Sequence, residues 1–357
     1  MYFTETKRSI LWTLPSLMLG AALLGGFAPA SQGAGKRVVR VMQQNMDAGT
    51  DLGYIFTATD PASLLKAMAM TYREVVASNI PQRAALLAGE IAVQRPDLIA
   101  LQEATLWRTG PLGQPPATTV LYDQLQLLLT ELENRGLHYA PVAVNSLLDA
   151  EAPTPLGFDL RITDRDALLA RTGLPPSEFA LSNIQTGIYQ AEFVLGNPVL
   201  GAIPVPRGWM TVDVQVGAAT FRFANTHLES PPAPTDIQVA QASELVGILG
   251  GTTLPVMLLG DFNANADPGL DHFPTTDLIV AAGFVDTWHA LRPFEPGLTW
   301  PLHGEDPYTP VSKPNQRMDL IFLRGLGAAR IRRIGWPTQG IWPSDHTGVA
   351  ASVPMPE

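Results

Sequence analysis

The stretch "LPVMLLGDFN" (residues 254–263) is an apolar run that ends abruptly in acid and amide side chains. A short apolar run bounded by Pro and Gly reads as a buried strand. The same arrangement recurs along the chain. Strand-like segments carry polar tips at Asn45, at Gln102-Glu103, at Asn225 and His227, at Asp261 and Asn263, at Asp319, and at Asp345-His346. An unpartnered polar group in an apolar interior costs roughly 2–7 kcal/mol. The tips must therefore emerge where strands end and loops leave room, and sheets collect ligands at such ends.

The rest of the chain fits a mixed-sheet α/β sandwich in a single domain. Residues 36–45 read as a strand, 61–94 as helix broken at Pro81, and 95–103 as a buried strand. Residues 118–135 have apolar spacing suited to a helix, with Gly136 as its stop signal. Further strands are expected at 139–144, 167–171, 188–195, 210–216, 220–225, 317–325 and 348–353, and a helix at 235–249. The segment at about 145–207 reads as a long irregular insertion, expected to hold a hairpin or lobe near the site.

The N-terminus reads as a targeting segment, with Lys7 and Arg8 before the apolar run Ser9–Phe27 and the small-residue pattern "APAS". Residues 1–30 are thus expected to be a signal peptide, 31–357 the folded domain, and the protein exported, secreted or periplasmic. An N-terminal membrane anchor is the alternative. The chain has 23 basic and 33 acidic residues, a formal charge of −10. Such a surface repels nucleic acid at long range, yet a metal ion could still hold a substrate phosphate against it. With no cysteine, disulfides and thiolate chemistry are excluded.

Carboxylates and amide oxygens are hard ligands suited to Mg²⁺, Mn²⁺ or Ca²⁺. Zinc is disfavoured because no cysteine and no HExxH pattern is present. Histidines beside such an ion can move a proton near neutral pH, or donate to a phosphoryl oxygen when charged.

The segments "LQE" (101–103), "NTHLE" (225–229), "GDFN" (260–263), "RMDLIF" (317–322) and "SDH" (344–346), in that order, resemble the endonuclease/exonuclease/phosphatase superfamily. The resemblance runs from about Val38 to Val353. It implies a DNase I-like four-layer αββα sandwich and a metal-dependent phosphoesterase. It implies that Glu103 binds the metal with Asn45 and Asp345 nearby. Asp261 and Asn263 would orient or deprotonate the attacking water, and His346 would contact the phosphate with Asp319 fixing its ring. His227 would donate to a phosphate oxygen or to the leaving group, with Asp166 in support and Asp164 close by. The substrate would be a phosphodiester, either nucleic acid with nuclease-like cleavage or a phospholipid head group as in sphingomyelinases. Inositol-phosphate hydrolysis and a non-catalytic binding role are further alternatives, and no stable protein partner is implied.

Two more residues join the candidates. Trp300 in "GLTWP" could stack on substrate or fill the core, and Arg317 could contact phosphate or pair with an acid. His138, His272, His289 and His303 fall in no motif and read as surface or structural residues; Asp286 reads as a turn former. Six basic residues between Lys313 and Arg333, against the single acid Asp319, allow a basic groove for a polyanion.

Overall fold

A computed structural model describes residues 37–267, 274–304, 306–310 and 314–356. The expected signal peptide and His272 lie outside the described residues. Among the described residues, no helix is long and apolar enough to cross a membrane.

Two sheets lie face to face with helices on both outer sides, the αββα arrangement. The first sheet runs in the order Arg330–Ile334, Gly348–Pro354, Val38–Asn45, Leu98–Gln102, Phe158–Arg171, Leu106–Pro111 and Thr119–Asp123, with Tyr139–Pro153 also paired to Phe158–Arg171. The second runs Val285–Asp286, Asp319–Arg324, Val256–Asp261, Ala219–His227, Gly208–Val216 and Ala180–Ile188. Side chains alternate across each strand, and the layers follow from that period of two. Val39, Val41, Leu98 and Ala100 of the first sheet meet Val212, Phe223, Met257 and Leu259 of the second in the central core. The opposite face of the first sheet, with Met42, Ile99 and Leu101, is covered by Leu87 and Ile91 of the helix Ile80–Gln94 and by Leu125 and Leu128 of the helix Gln124–Glu133. On the second sheet Leu258, Leu320 and Phe322 pack under Leu245 and Leu249 of the helix Thr235–Gly250. Each such buried side chain contributes roughly 1.5–3 kcal/mol.

Several expectations need correction. The helical segment 61–94 breaks at Ser78-Asn79, where Asn79 is left-handed, and not at Pro81. Pro81 sits in the first turn of the second helix, where a missing N–H does no harm. Residues 119–123 are a strand, so the helix expected from 118 starts only at Gln124; β-branched Thr119 and Val120 favour the pleat over the helix. The strand Leu106–Pro111 was not foreseen. The segment expected to be irregular at about 145–207 is mostly strand, because Phe158–Arg171 pairs with three neighbours at once. The strand expected at 188–195 is split between the end of Ala180–Ile188 and the hairpin Phe193–Asn197/Gly201–Val205.

Between the sheets, one layer of the core is polar. Gln43 donates to Gln102 Oε1 at 2.9 Å and to Asp319 Oδ1 at 2.7 Å. Gln102 donates to Asn225 Oδ1 at 2.7 Å, and Asn225 donates to the carbonyls of Leu101 and Ala167. Gln43, Gln102 and Asn225 are fully buried. These bonds join the first sheet to the second directly beneath the strand tips.

Candidate active site

The strand registers place the polar tips in one row. His227 is paired with Asp261 on parallel strands, and Asp261 with Asp319 on antiparallel ones. On the first sheet Asn45 pairs with Gln102. Across the gap, Asn45 donates its amide to Glu103 Oε1 at 2.9 Å and to Asp261 Oδ2 at 3.0 Å. Within the second sheet, Gly260 lets its strand lie close against Thr226, since a Cβ there would strike the Thr226 carbonyl. Asp47, Glu103 and Asn263, all at strand ends, have positive φ. Non-glycine residues held there cost about 1–2 kcal/mol each, a strain that gathers at functional sites.

Above the row opens a cleft of about 930 Å³. His346 stands on its floor with Nδ1 2.8 Å from Asp319 Oδ2, while its Nε2 is 3.9 Å from the neighbouring Asp345. The distant aspartate therefore orients the ring. Burial works against the His346 proton, but Asp319, Asp345 and Asp261 outweigh it and hold the imidazole well above its ordinary 6.5. His227 lies opposite. Its Nδ1 is 3.5 Å from Asp166 and its Nε2 3.9 Å from Asp261. Burial and then the guanidinium of Arg207 push it down to about 4.

Glu103 accepts from Ala48 N at 2.8 Å and stays partly open to the cleft, as does Asp345. Trp300 donates its indole N–H to Asp345 Oδ2 at 3.0 Å, so it holds a site carboxylate and also lines the cleft. Asn45 gives its oxygen to the N–H of Asp47 at 2.8 Å and its amide to two carboxylates, so it braces the acids in this arrangement. Asn263 donates to the Leu228 carbonyl at 3.0 Å and faces the cleft.

Arg317 is the exception among the candidates. It is buried, 3.0 Å from Asp267 and 2.8 Å from Asp286, and does not line the cleft. Of the two roles expected of it, the structure shows the pairing with acids; the substrate contact is corrected to a structural brace, because two carboxylates already take its fork. Asp286 also caps the helix Thr287–Leu291, the turn role expected of it.

Three cleft residues escaped the sequence reading. Arg207 follows the hairpin and puts Nη1 3.2 and 3.0 Å from the two ring nitrogens of His227 and Nη2 3.2 Å from Glu229. It is the one Arg or Lys among the described residues lining the cleft; a lone arginine between Pro206 and Gly208 was its only signal. Asp47 lines the cleft and pairs with buried Arg83 at 3.0 Å. His303 is 2% exposed, is held through Nδ1 by the Gly304 carbonyl, and points an unpartnered Nε2 to within 3.8 Å of Asp47.

The acids fit a hard cation. Burial, with repulsion from Asp164 and Asp345, pushes Glu103 up to about 7. Burial and then repulsion from Asp166 likewise raise Asp164 to about 7, and burial above all raises Asp166 to about 7. Asp345 is raised by burial and by Asp47. Carboxylates crowded in this way are relieved by positive charge. Oxygens of Asp261 and Asp319 and a ring nitrogen of His346 also lie within 4.8 Å of one another. Their shortest link, though, is the His346–Asp319 hydrogen bond, which leaves Glu103 and Asp345 as the acids open to an ion.

Residues 76–346 match the sequence model of the Endonuclease/Exonuclease/phosphatase family. Among solved structures the chain is similar to an endonuclease/exonuclease/phosphatase from Beutenbergia cavernae. The identity is 18%, coverage is 90% of this chain and 72% of that one, and the TM-score is 0.53. A family protein from Leptotrichia buccalis has 16% identity, 88% and 99% coverage and a TM-score of 0.51. A mannosyl-6-phosphatase from Bacteroides thetaiotaomicron has 17%, 88% and 99%, and 0.50. At these identities the likeness is one of fold. No curated protein matches the chain.

Proposed function

Because the chain belongs to the endonuclease/exonuclease/phosphatase family and is a phosphoester hydrolase, we propose that it is an exported, divalent-metal-dependent phosphodiesterase. The carrying observation is the row of His227, Asp261, Asp319 and His346 set against the partly open acids Glu103 and Asp345.

Glu103 and Asp345, with Asp47 beside them, would hold Mg²⁺ or Mn²⁺. The ion would supply charge to neutralise the phosphate anion. The remaining work falls to the protein. Asp261 lies between the two imidazoles and takes the proton of a water attacking phosphorus in line, with Asn263 positioning that water. As the new P–O bond forms, the P–O bond to the leaving group breaks, and His346, kept charged on Asp319, gives its Nε2 proton to the oxygen that departs. Arg207 supplies a second positive charge from the opposite wall. It also leaves His227 neutral, so that ring serves as a neutral hydrogen-bonding partner.

The cleft favours one substrate type. Its wall is apolar, with Phe193, Leu195 and Val205 of the hairpin and Phe56 and Leu148 beside them. A nucleic-acid track would need a row of cations, and among the described residues lining the cleft Arg207 is the one Arg or Lys. We therefore favour a phospholipid head group over nucleic acid. The test is hydrolysis of sphingomyelin, phosphatidylcholine, DNA and RNA with Mg²⁺ or EDTA. Lipid cleavage lost in EDTA supports the reading; cleavage of DNA alone overturns the substrate, and full activity in EDTA overturns the metal.

A further inference from the structure

Of the basic run between Lys313 and Arg333, Lys313 lies outside the described residues, and the described arginines do not form one groove. Arg317 is buried among acids, Arg324 donates to the Leu249 carbonyl beneath Phe284, and Arg333 lies over Trp336. Arg330 and Arg332 remain. They meet two arginines from distant sequence, Arg40 and Arg95, around a recess of about 260 Å³. It lies at the opposite end of the strands from the cleft.

Strand register explains the gathering. Arg40 and Arg330 are both paired with Ser352, one on each side, and Arg332 lies two residues along. Strand spacing then puts the Cα atoms of Arg40 and Arg330 about 10 Å apart. Ile331 faces the central core, so its neighbours Arg330 and Arg332 project from the outer face. The helix Ile80–Gln94 that covers this face stops at Arg95, and the corner beyond it is open. The floor is small: Ala350 and the half-buried Ser352.

These arginines differ from most of the others. Arg83, Arg161, Arg165, Arg171, Arg207 and Arg222 each face a carboxylate. Among the described residues, Arg40, Arg95, Arg330 and Arg332 have no ion pair, and no acid lines the recess. The nearest acid in sequence, Asp97, is taken by Arg171 at 2.7 Å and by the backbone N–H of Arg40. Four guanidiniums without an acid partner around one recess, in a chain of net charge −10, repel one another, and Arg95 has only the Ala92 carbonyl, at 3.2 Å from its Nε. An anion relieves them, and the planar fork of arginine matches a phosphate.

We propose that this recess is a second, non-catalytic site that binds one phosphate or phosphomonoester dianion. Its volume has room for a single phosphate group. The bound group is set by Arg40 and Arg330 on either side, with the Ser352 hydroxyl beneath it and Arg95 and Arg332 closing the rim.

The test is calorimetric titration of inorganic phosphate into the full chain in EDTA, which leaves the acidic cleft unfavourable to anions. A second arm measures sedimentation with phosphatidylcholine vesicles with or without phosphatidic acid. Wild type should bind phosphate, and Arg40→Gln/Arg330→Gln should weaken it at least about tenfold, as expected for lost charge-assisted bonds. Hydrolysis and melting temperature should stay as in wild type. Binding to phosphatidic acid vesicles, lost in the same variant, would name a lipid head group as the source; phosphate binding without vesicle binding would name a free phosphate. Absence of phosphate binding in wild type, equal binding in the variant, or binding of a long DNA duplex alone would overturn the proposal.

Discussion

Two corners of the cleft hold the same side chain in opposite states. His346 rests on Asp319 among carboxylates and keeps its proton above the usual range. His227 faces Arg207 and is driven down to about 4. Both rings are buried, so burial alone does not separate them; the sign of the nearest charge does. One fold thus supplies a cationic and a neutral imidazole on either side of Asp261.

The bluntest way to break the contrast is to remove its charged half. His346→Ala, and likewise Glu103→Ala, should lower kcat by about 10³-fold or more with the circular dichroism spectrum unchanged. Activity near wild type in either would end the hydrolytic assignment. Next comes the charge beside the neutral ring. Arg207→Met should cost about 10²-fold in kcat/KM, and NMR titration should show the His227 value rising from about 4 towards the ordinary ~6.5. If the value stays at about 4, burial alone sets it.

The two rings should also leave opposite marks on stability. In the folded chain His346 binds its proton more tightly than when unfolded. Its contribution is full below about 6.5 and fades as pH rises through the raised value. His227 binds its proton less tightly, so it lowers stability as pH falls from about 6.5 to about 4. In EDTA, His346→Gln should therefore lose most Tm relative to wild type under acid conditions, whereas His227→Gln should gain on wild type as pH falls. Parallel curves would contradict the contrast. Metal adds a further axis. Glu103, raised to about 7, and Asp345, also raised, must ionise to bind it, so the Tm gain from Mg²⁺ should grow as pH rises through about 7. The smallest effect belongs to His303→Gln, expected to change KM a few-fold and kcat little.

Much of this site was legible because strands make it so. Apolar runs with polar tips announce both the sheet and its working end, and Glu103, Asp261, Asp319 and His346 converge as the tips suggest. What was hidden came from connections. Arg207 and His303 sit in loops without periodicity, and only the returning chain brings them to the cleft. Arg317 stayed open between phosphate contact and acid pairing because it adjoins Asp319 in sequence, while its carboxylate partners Asp267 and Asp286 lie elsewhere. Thr119–Asp123 misled because a short strand feeding a helix blends two periods into one apolar stretch.

The polar layer of Gln43, Gln102 and Asn225 has a consequence for how such a protein can change. Shape-fitted apolar cores tolerate sliding and substitution, whereas a hydrogen-bonded set of amides permits one alignment only. The alignment of the two sheets is thus locked independently of anything above it. Side chains of the hairpin Phe193–Val205 can be exchanged without resetting the distance between the sheet-borne Asp261 and Asp319, provided buried Asn197 and the path to Arg207 are kept. Substrate range is therefore free to drift through a replaceable lip, over a base that evolution or a designer can leave untouched.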